Sequence, residues 1–405
     1  MKILLVAYKI EAGQGSEDSC GYNFASCLLA RNVELTLVTR RNNAALLASD
    51  PRFTNVNVIG IDVPKVLSFY KKKGRGVILY YYIWQIFVGR LVQRMQRKER
   101  FDVVHQFNFH ADWAPHFLTN PHGTMVWGPV VHHERVPRQF LKHAGLRARI
   151  AEWARFLTKQ FFWRCDPFLR RAVARTNVII YGNKQVAPAF RSAVDRIYFR
   201  PYATSSEGLH DKVARPASFR LLSIGRLVPL KGFDVTLDAF AQFLRRHPQS
   251  NATLTVIGRG PLHQELARRA TAIGISGVVE FIPWLPQAEL SRYYTESAAF
   301  IFPSFESQGL VVAEAMAAGL PVVCLNDSGP SFVAGEAGLN IARGTYDEVV
   351  SGTAEAIAEL WMKFSDQGSY LEEMSSVRGN YLKRLTAEGL VDDVTARYFS
   401  DVRKH

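Results

Sequence analysis

With 405 residues, the chain is long enough for two globular domains of roughly 150 to 200 residues each. Hydrophobic residues make up 48% and charged residues 21%, an ordinary globular balance that excludes a disordered or low-complexity chain. The formal net charge of +14 favours anionic partners, but no nucleic-acid motif accompanies it, and the four scattered cysteines (Cys20, Cys27, Cys165, Cys324) lack the spacing of a metal site or disulfide frame.

The chain opens on a short apolar strand, Met1 to Tyr8, which leads into the loop Glu11 to Asp18 and an amphipathic helix through Leu29. Lys2 precedes that strand directly, so no signal peptide is expected and the protein is expected to be cytoplasmic. In the loop, Gly13 and Gly15 permit close backbone approach to a ligand. Apolar runs recur at 2–8, 33–39, 56–63, 101–108, 123–130, 177–182 and 196–202, with helical patterns in most of the gaps. After a polar, turn-rich stretch from Ala203 to Ser218 they restart at 219–225, 252–258, 278–283, 298–303 and 320–325, and the rest of the chain reads as helices. This alternation predicts an α/β fold with its domain boundary in that stretch: one domain over 1–203, a second over 204–385 and a terminal helix over 386–405.

The positive charge is concentrated in the first domain. Between Lys65 and Arg100 ten Lys/Arg face a single acid, Glu99, and between Glu134 and Arg175 eleven Lys/Arg face three acids. Tyr80, Tyr81, Tyr82, Trp84 and Phe87 are interleaved with the first window, a combination suited to an anionic membrane surface with aromatics at headgroup level. The apolar stretch Val77 to Gly89 falls well short of the ~20 residues needed to span a bilayer, so peripheral attachment is expected, at the inner face. The alternative is a helix with its aromatic side in the core.

The second domain carries the chemistry. The run Leu221 to Gly232 sets Arg226 and Lys231 directly after a strand, where two cations can clamp a diphosphate, and Gly225 and Gly258 each follow a strand in a Gly-rich turn. From Phe302 to Pro321, a loop carrying Glu306 leads into a helix that begins near Ser307 to Gly309, carries Glu314 two turns in, and stops at Gly319 and Pro321. A helix N-terminus offers free N–H groups to phosphate, while carboxylates suit sugar hydroxyls. A nucleotide-sugar fits that pattern.

Three motifs in order, Gly225-Arg-Leu-Val-Pro-Leu-Lys-Gly232, Ile257-Gly-Arg-Gly-Pro261 and Glu306-Ser-Gln-Gly-Leu-Val-Val-Ala-Glu314, resemble the donor domain of family 4 glycosyltransferases over Arg220 to about Gly344. The loop Trp127-Gly-Pro is similar to one in a polysaccharide-assembly branch of that family. The resemblance implies a GT-B architecture: two Rossmann-like domains facing across a cleft, with the terminal helix crossing back to the first. It implies a retaining enzyme of hexosyltransferase type. By that analogy Arg226 and Lys231 hold the donor diphosphate, Glu306 faces the donor sugar, Glu314 binds the ribose, and backbone N–H groups of Gln308, Gly309 and Leu310 line the phosphate and sugar. Gly13 and Gly15 approach the phosphates from the first domain. A histidine contacting the sugar is expected as well, with His132 and His110 as the two candidates and Asp112 placed to orient His110.

The expected reaction moves a sugar from a UDP- or GDP-sugar to a membrane-associated, lipid-linked saccharide acceptor in polysaccharide or glycoconjugate biosynthesis. No Asp-x-Asp occurs in either domain, so neither a metal nor any other cofactor is expected. The alternatives are the same chemistry on a soluble small-molecule acceptor, and a non-catalytic GT-B scaffold protein at the membrane.

Overall fold

The computed structural model describes residues 1–12, 16–68, 76–107, 111–142, 145–202 and 215–402. The chain folds as two compact units. Unit 1 takes residues 1–133, 157–202 and 387–405; unit 2 takes 134–156 and 203–386.

Among the described residues of unit 1, seven parallel strands form one sheet: β1 (Lys2–Ala7), β2 (Glu34–Thr39), β3 (Asn57–Gly60), β4 (Val103–Phe107), β5 (Thr124–Val130), β6 (Val178–Tyr181) and β7 (Ile197–Phe199), in the order β3-β2-β1-β4-β5-β6-β7. Five of the six residues of β1 are buried and β4 is buried throughout, as expected for strands covered by helices on both faces. The last helix, Ala387–Val402, belongs to this unit. Arg31 and Arg200 clamp its Asp392 and Asp393, and the Tyr398 hydroxyl lies 2.5 Å from Nδ1 of His105 in the core. His105 also has Gly128 O 2.9 Å from Nε2, and burial pushes its pKa down to about 3, so it is a neutral structural residue.

Unit 2 holds a six-stranded parallel sheet of β8 (Arg220–Ile224), β9 (Thr253–Ile257), β10 (Val279–Ile282), β11 (Ala299–Phe302), β12 (Val322–Leu325) and β13 (Gly338–Ile341), in the order β10-β9-β8-β11-β12-β13. The order reverses between β8 and β11, so the loops leaving their carboxyl ends splay apart there, the place where doubly wound sheets bind ligands. The chain reading missed β13. It is a half-buried edge strand carrying Gly338 and Asn340, with none of the apolar density of its neighbours.

Two further expectations are corrected. Residues 134–156 cluster with unit 2 although they precede position 203, because Phe140 packs on Phe305 and Tyr346 at centroid distances of 4.7 and 5.6 Å and Arg343 grips Glu134 with two bonds of 2.6 and 2.7 Å. Of the five aromatics of the first basic window, three are in the core. They lie on the helix Val77–Gln96, where Tyr80, Tyr81 and Trp84 are buried; Tyr80 donates to Asp62 (3.1 Å) and Trp84 to Ile61 O (2.8 Å), while Tyr82 and Phe87 are half-buried. Helical spacing turned that stripe inward. No helix among the described residues is long and apolar enough to cross a membrane.

Candidate active site

Of the two loops at the switch point of unit 2, the one after β8 carries Gly225, Arg226 and Lys231 before Gly232, whose left-handed backbone (φ 69°) starts the helix Phe233–Arg246. Arg226 is exposed, whereas the side chain of Lys231 folds back beside Gly225 and is largely buried. Its ammonium forms an ion pair with the Glu306 carboxylate and lies 5.0 Å from the Phe302 ring centre. The loop after β11 thus meets the loop after β8 through the two residues that the motifs singled out.

Glu306 has little backbone freedom. Its N–H donates to Ser304 Oγ (3.0 Å), its carbonyl accepts from Gly329 N (2.8 Å), and Ser304 Oγ in turn donates to Leu230 O (3.1 Å). Phe305 N also bonds Leu230 O, at 2.9 Å, which ties the two loops backbone to backbone. Gly329 allows the approach, since a Cβ there would stand 2.1 Å from the Ser307 carbonyl carbon. Gly258 is constrained in the same way: φ is +153° and a Cβ would meet Gly225 O at 1.9 Å, so the turns after β8 and β9 touch through backbone alone.

The helix expected to begin near Ser307 to Gly309 runs Leu310–Ala317, with Gly309 as its cap residue and no side-chain cap. Its first N–H groups therefore belong to Leu310 and Val311, next to Gly309 and just past Gln308 in the segment that follows Glu306, where an anion is favoured. Glu314, the fifth residue of this helix and about one turn in, is only 6% exposed. Tyr294 donates its hydroxyl to Oε2 at 2.8 Å, and burial pushes the carboxyl up to about 7, against the pull of that bond. The sequence gives no hint of Tyr294, which reaches Glu314 from a different helix, Gln287–Glu296.

In unit 1, His132 is held by three bonds. Its ring Nδ1 lies 2.7 Å from Asp112 Oδ2, its backbone N–H donates to Asn183 Oδ1 (3.1 Å) and its carbonyl accepts from Asn183 Nδ2 (2.8 Å). Asp112 is fully buried and also accepts from Trp163 Nε1 (3.1 Å) and the Tyr181 hydroxyl (3.3 Å). Burial raises its pKa, which the His132 bond partly offsets. Asp112, expected to orient His110, bonds His132. An ionised Asp112 holds the proton on Nδ1 and leaves Nε2 as the acceptor, the arrangement of a positioned base. His110, Gly13 and Gly15 lie outside the described residues. Among the described residues, no three His, Cys, Asp or Glu side chains gather as a metal ion needs.

Residues 218–362 match the glycosyl transferases group 1 family. The matched region takes in β8 through β13, the Lys231–Glu306 pair and Glu314. A relative from Frankia alni named D-inositol 3-phosphate glycosyltransferase is 46% identical over 112 residues, 25% of this chain and 27% of the relative. A relative of the same name from Pseudarthrobacter chlorophenolicus is 28% identical over 340 residues, covering 78% of this chain and 76% of its own. For seven of the curated relatives the match spans 27% to 47% of their length. Among solved structures, the chain is similar to WaaG, a glycosyltransferase involved in lipopolysaccharide biosynthesis, with TM-score 0.57 and 16% identity over 97% of this chain and 99% of that one. It is similar also to HepE of Anabaena in complex with UDP and glucose, with TM-score 0.57 and 17% identity over 99% and 100%. The two parallel-sheet α/β units have the fold of GT-B glycosyltransferases.

Proposed function

We propose that the protein is a retaining hexosyltransferase of family 4, polysaccharide-assembly branch, that uses a nucleoside-diphosphate sugar, UDP- or GDP-linked, without a metal. The observation that carries this reading is the Lys231–Glu306 pair, built at the switch point from two different loops and followed at once by a helix N-terminus. As the bond to the anomeric carbon breaks, charge builds on the leaving diphosphate. Lys231, held by Glu306, and the N–H groups at Gln308 to Leu310 are fixed beforehand to receive it, which lowers the barrier more than groups that must reorient, and Arg226 adds its charge from the exposed loop. Glu306 hydrogen-bonds the sugar hydroxyls and Glu314 grips the ribose, while His132, oriented by Asp112, contacts the sugar. The acceptor in this reading is a lipid-linked saccharide, which the enzyme reaches from the cytoplasmic side as a peripheral protein.

A second reading of the acceptor is favoured by the relatives' name: a soluble polyol phosphate such as inositol phosphate. Titration calorimetry with UDP, GDP, UDP-glucose and GDP-mannose tests the donor half. Binding of one nucleotide series that Lys231→Met weakens supports it, and no binding of any of the four overturns it. Transfer assays with inositol phosphate and with detergent-solubilised lipid-linked saccharide then separate the acceptors.

A further inference from the structure

The second basic window contains the helix Leu146–Cys165, which buries Trp163 but exposes apolar side chains along another side. Leu146, Ile150, Trp153, Leu157 and Phe161 are 72%, 56%, 52%, 43% and 62% exposed. At about 100° per residue these five positions fall within an arc of about 80°, so the helix carries one continuous apolar stripe on its outer side. Scattered exposed apolar residues are ordinary, but a contiguous stripe marks an interaction surface.

Charge says what that surface meets. Arg149 and Arg164 lie at or beside the stripe, while the one acid on the helix, Glu152, is paired with Arg155 at 3.3 Å on the far side. At the helix start a groove of about 200 Å³ is lined by Arg135, Arg138, Arg149, Ile150 and Trp153, which sets guanidinium groups around the apolar centre of the stripe. A helix with Trp, Phe and Leu on one side and arginines beside them matches an anionic lipid interface, where the rings sit at headgroup depth and the guanidinium groups reach phosphates.

We propose that this helix docks flat on an anionic membrane, with Ile150 and Trp153 inserted and Arg138 and Arg149 on lipid phosphates. The inference deepens the reading of a lipid-linked acceptor and rests on it, and it replaces the buried aromatics of residues 80–84 as the membrane contact. The test is co-sedimentation of the full-length protein with equimolar phosphatidylglycerol–phosphatidylcholine vesicles and with phosphatidylcholine alone, at low and high salt. The native protein is expected to bind the anionic vesicles and release them at high salt, because exposed charges are screened beyond about 10 Å at 0.1 M. The double variants Ile150→Ser/Trp153→Ser and Arg138→Glu/Arg149→Glu should each lose about tenfold in vesicle affinity. All four positions lie outside the proposed donor site, so UDP and GDP binding, measured in parallel, should be unchanged and also reports that the variants fold. Equal binding of native protein and variants, or equal binding to neutral and anionic vesicles, overturns the proposal. So does a dimer in sedimentation velocity that Ile150→Ser/Trp153→Ser dissolves, since the stripe then covers a second copy. Vesicle binding without any nucleotide binding would leave this surface standing and remove the transferase reading instead.

Discussion

Tyr294 and Glu314 meet in the interior of the second unit, the tyrosine hydroxyl donating to the carboxylate across 2.8 Å with both residues buried. Burial makes the carboxyl of Glu314 a titrating group near neutrality rather than a permanent anion, its pKa being about 7 against an ordinary 4.5 although the Tyr294 bond pulls the other way.

That shift fixes a sign. Between pH 4.5 and 7 the folded protein binds more protons at Glu314 than the unfolded chain, so this contribution is full below about pH 4.5 and is lost as pH rises to about 7. The loss should approach roughly 3 kcal/mol. Urea denaturation at pH 5 and pH 8 should show that Glu314→Gln closes most of this gap relative to the native protein. Parallel losses of stability in both proteins would count against the shift. At fixed pH the same variant should weaken nucleoside-diphosphate binding by about 1.5–3 kcal/mol if Glu314 holds the ribose.

Lys231 and Glu306 should separate binding from turnover. Glu306→Gln releases the Lys231 ammonium to the diphosphate, so free nucleotide should bind as well as to the native protein, or more tightly, while single-turnover transfer falls by at least about a hundredfold. Lys231→Met should weaken nucleotide binding by about 1.5–3 kcal/mol, the value of a bond to a charged group. Near-native kinetics in both variants, with the fold intact, would remove the central support of the proposed function.

Activity is expected to survive EDTA, because Lys231, Arg226 and the start of the helix Leu310–Ala317 can together balance the charge of a diphosphate. Loss of transfer that only Mg²⁺ or Mn²⁺ restores would show that these groups are insufficient.

Asp112→Asn should act through His132. The amide can donate to Nδ1, which turns the imidazole to the wrong tautomer, so transfer should fall by about tenfold or more while nucleotide affinity holds. Trp163→Phe, which removes one of the bonds to Asp112, should have a smaller effect of the same kind. An Asp112→Asn enzyme with the native pH–rate profile would show that His132 takes no part in the reaction.

Phe140→Ala should destabilise the second unit by about 3–5 kcal/mol, the usual cost of emptying a buried ring site. Thermal unfolding monitored at that unit checks it. A change below about 1 kcal/mol would mean that the ring's contacts with Phe305 and Tyr346 form only loosely.

The strands were legible because parallel sheets buried on both faces read as dense apolar runs; β1, β4 and β11 show it plainly. The residues Lys231, Glu306 and Glu314 could be singled out because chemistry of that kind sits at strand ends and helix starts, which Gly and Pro mark. What the sequence left dark was pairing at long range. Tyr294 comes twenty residues before Glu314, Asp112 twenty before His132, and nothing local announces either bond. The aromatic run 80–84 misled for a related reason: composition says that a side chain can meet lipid, but only packing says which way it points.

The early excursion of residues 134–156 carries a practical consequence for anyone wishing to study the second unit alone. Cutting the gene at residue 203 would yield a fragment lacking Phe140 and Glu134, with Phe305 and Arg343 stripped of them next to the loop that holds Glu306. Such a fragment should bind nucleotide poorly or aggregate for reasons unrelated to chemistry. A peptide spanning 134–142, supplied in trans or grafted through a short linker, carries the missing contacts, so it is expected to restore the fragment's solubility and stability.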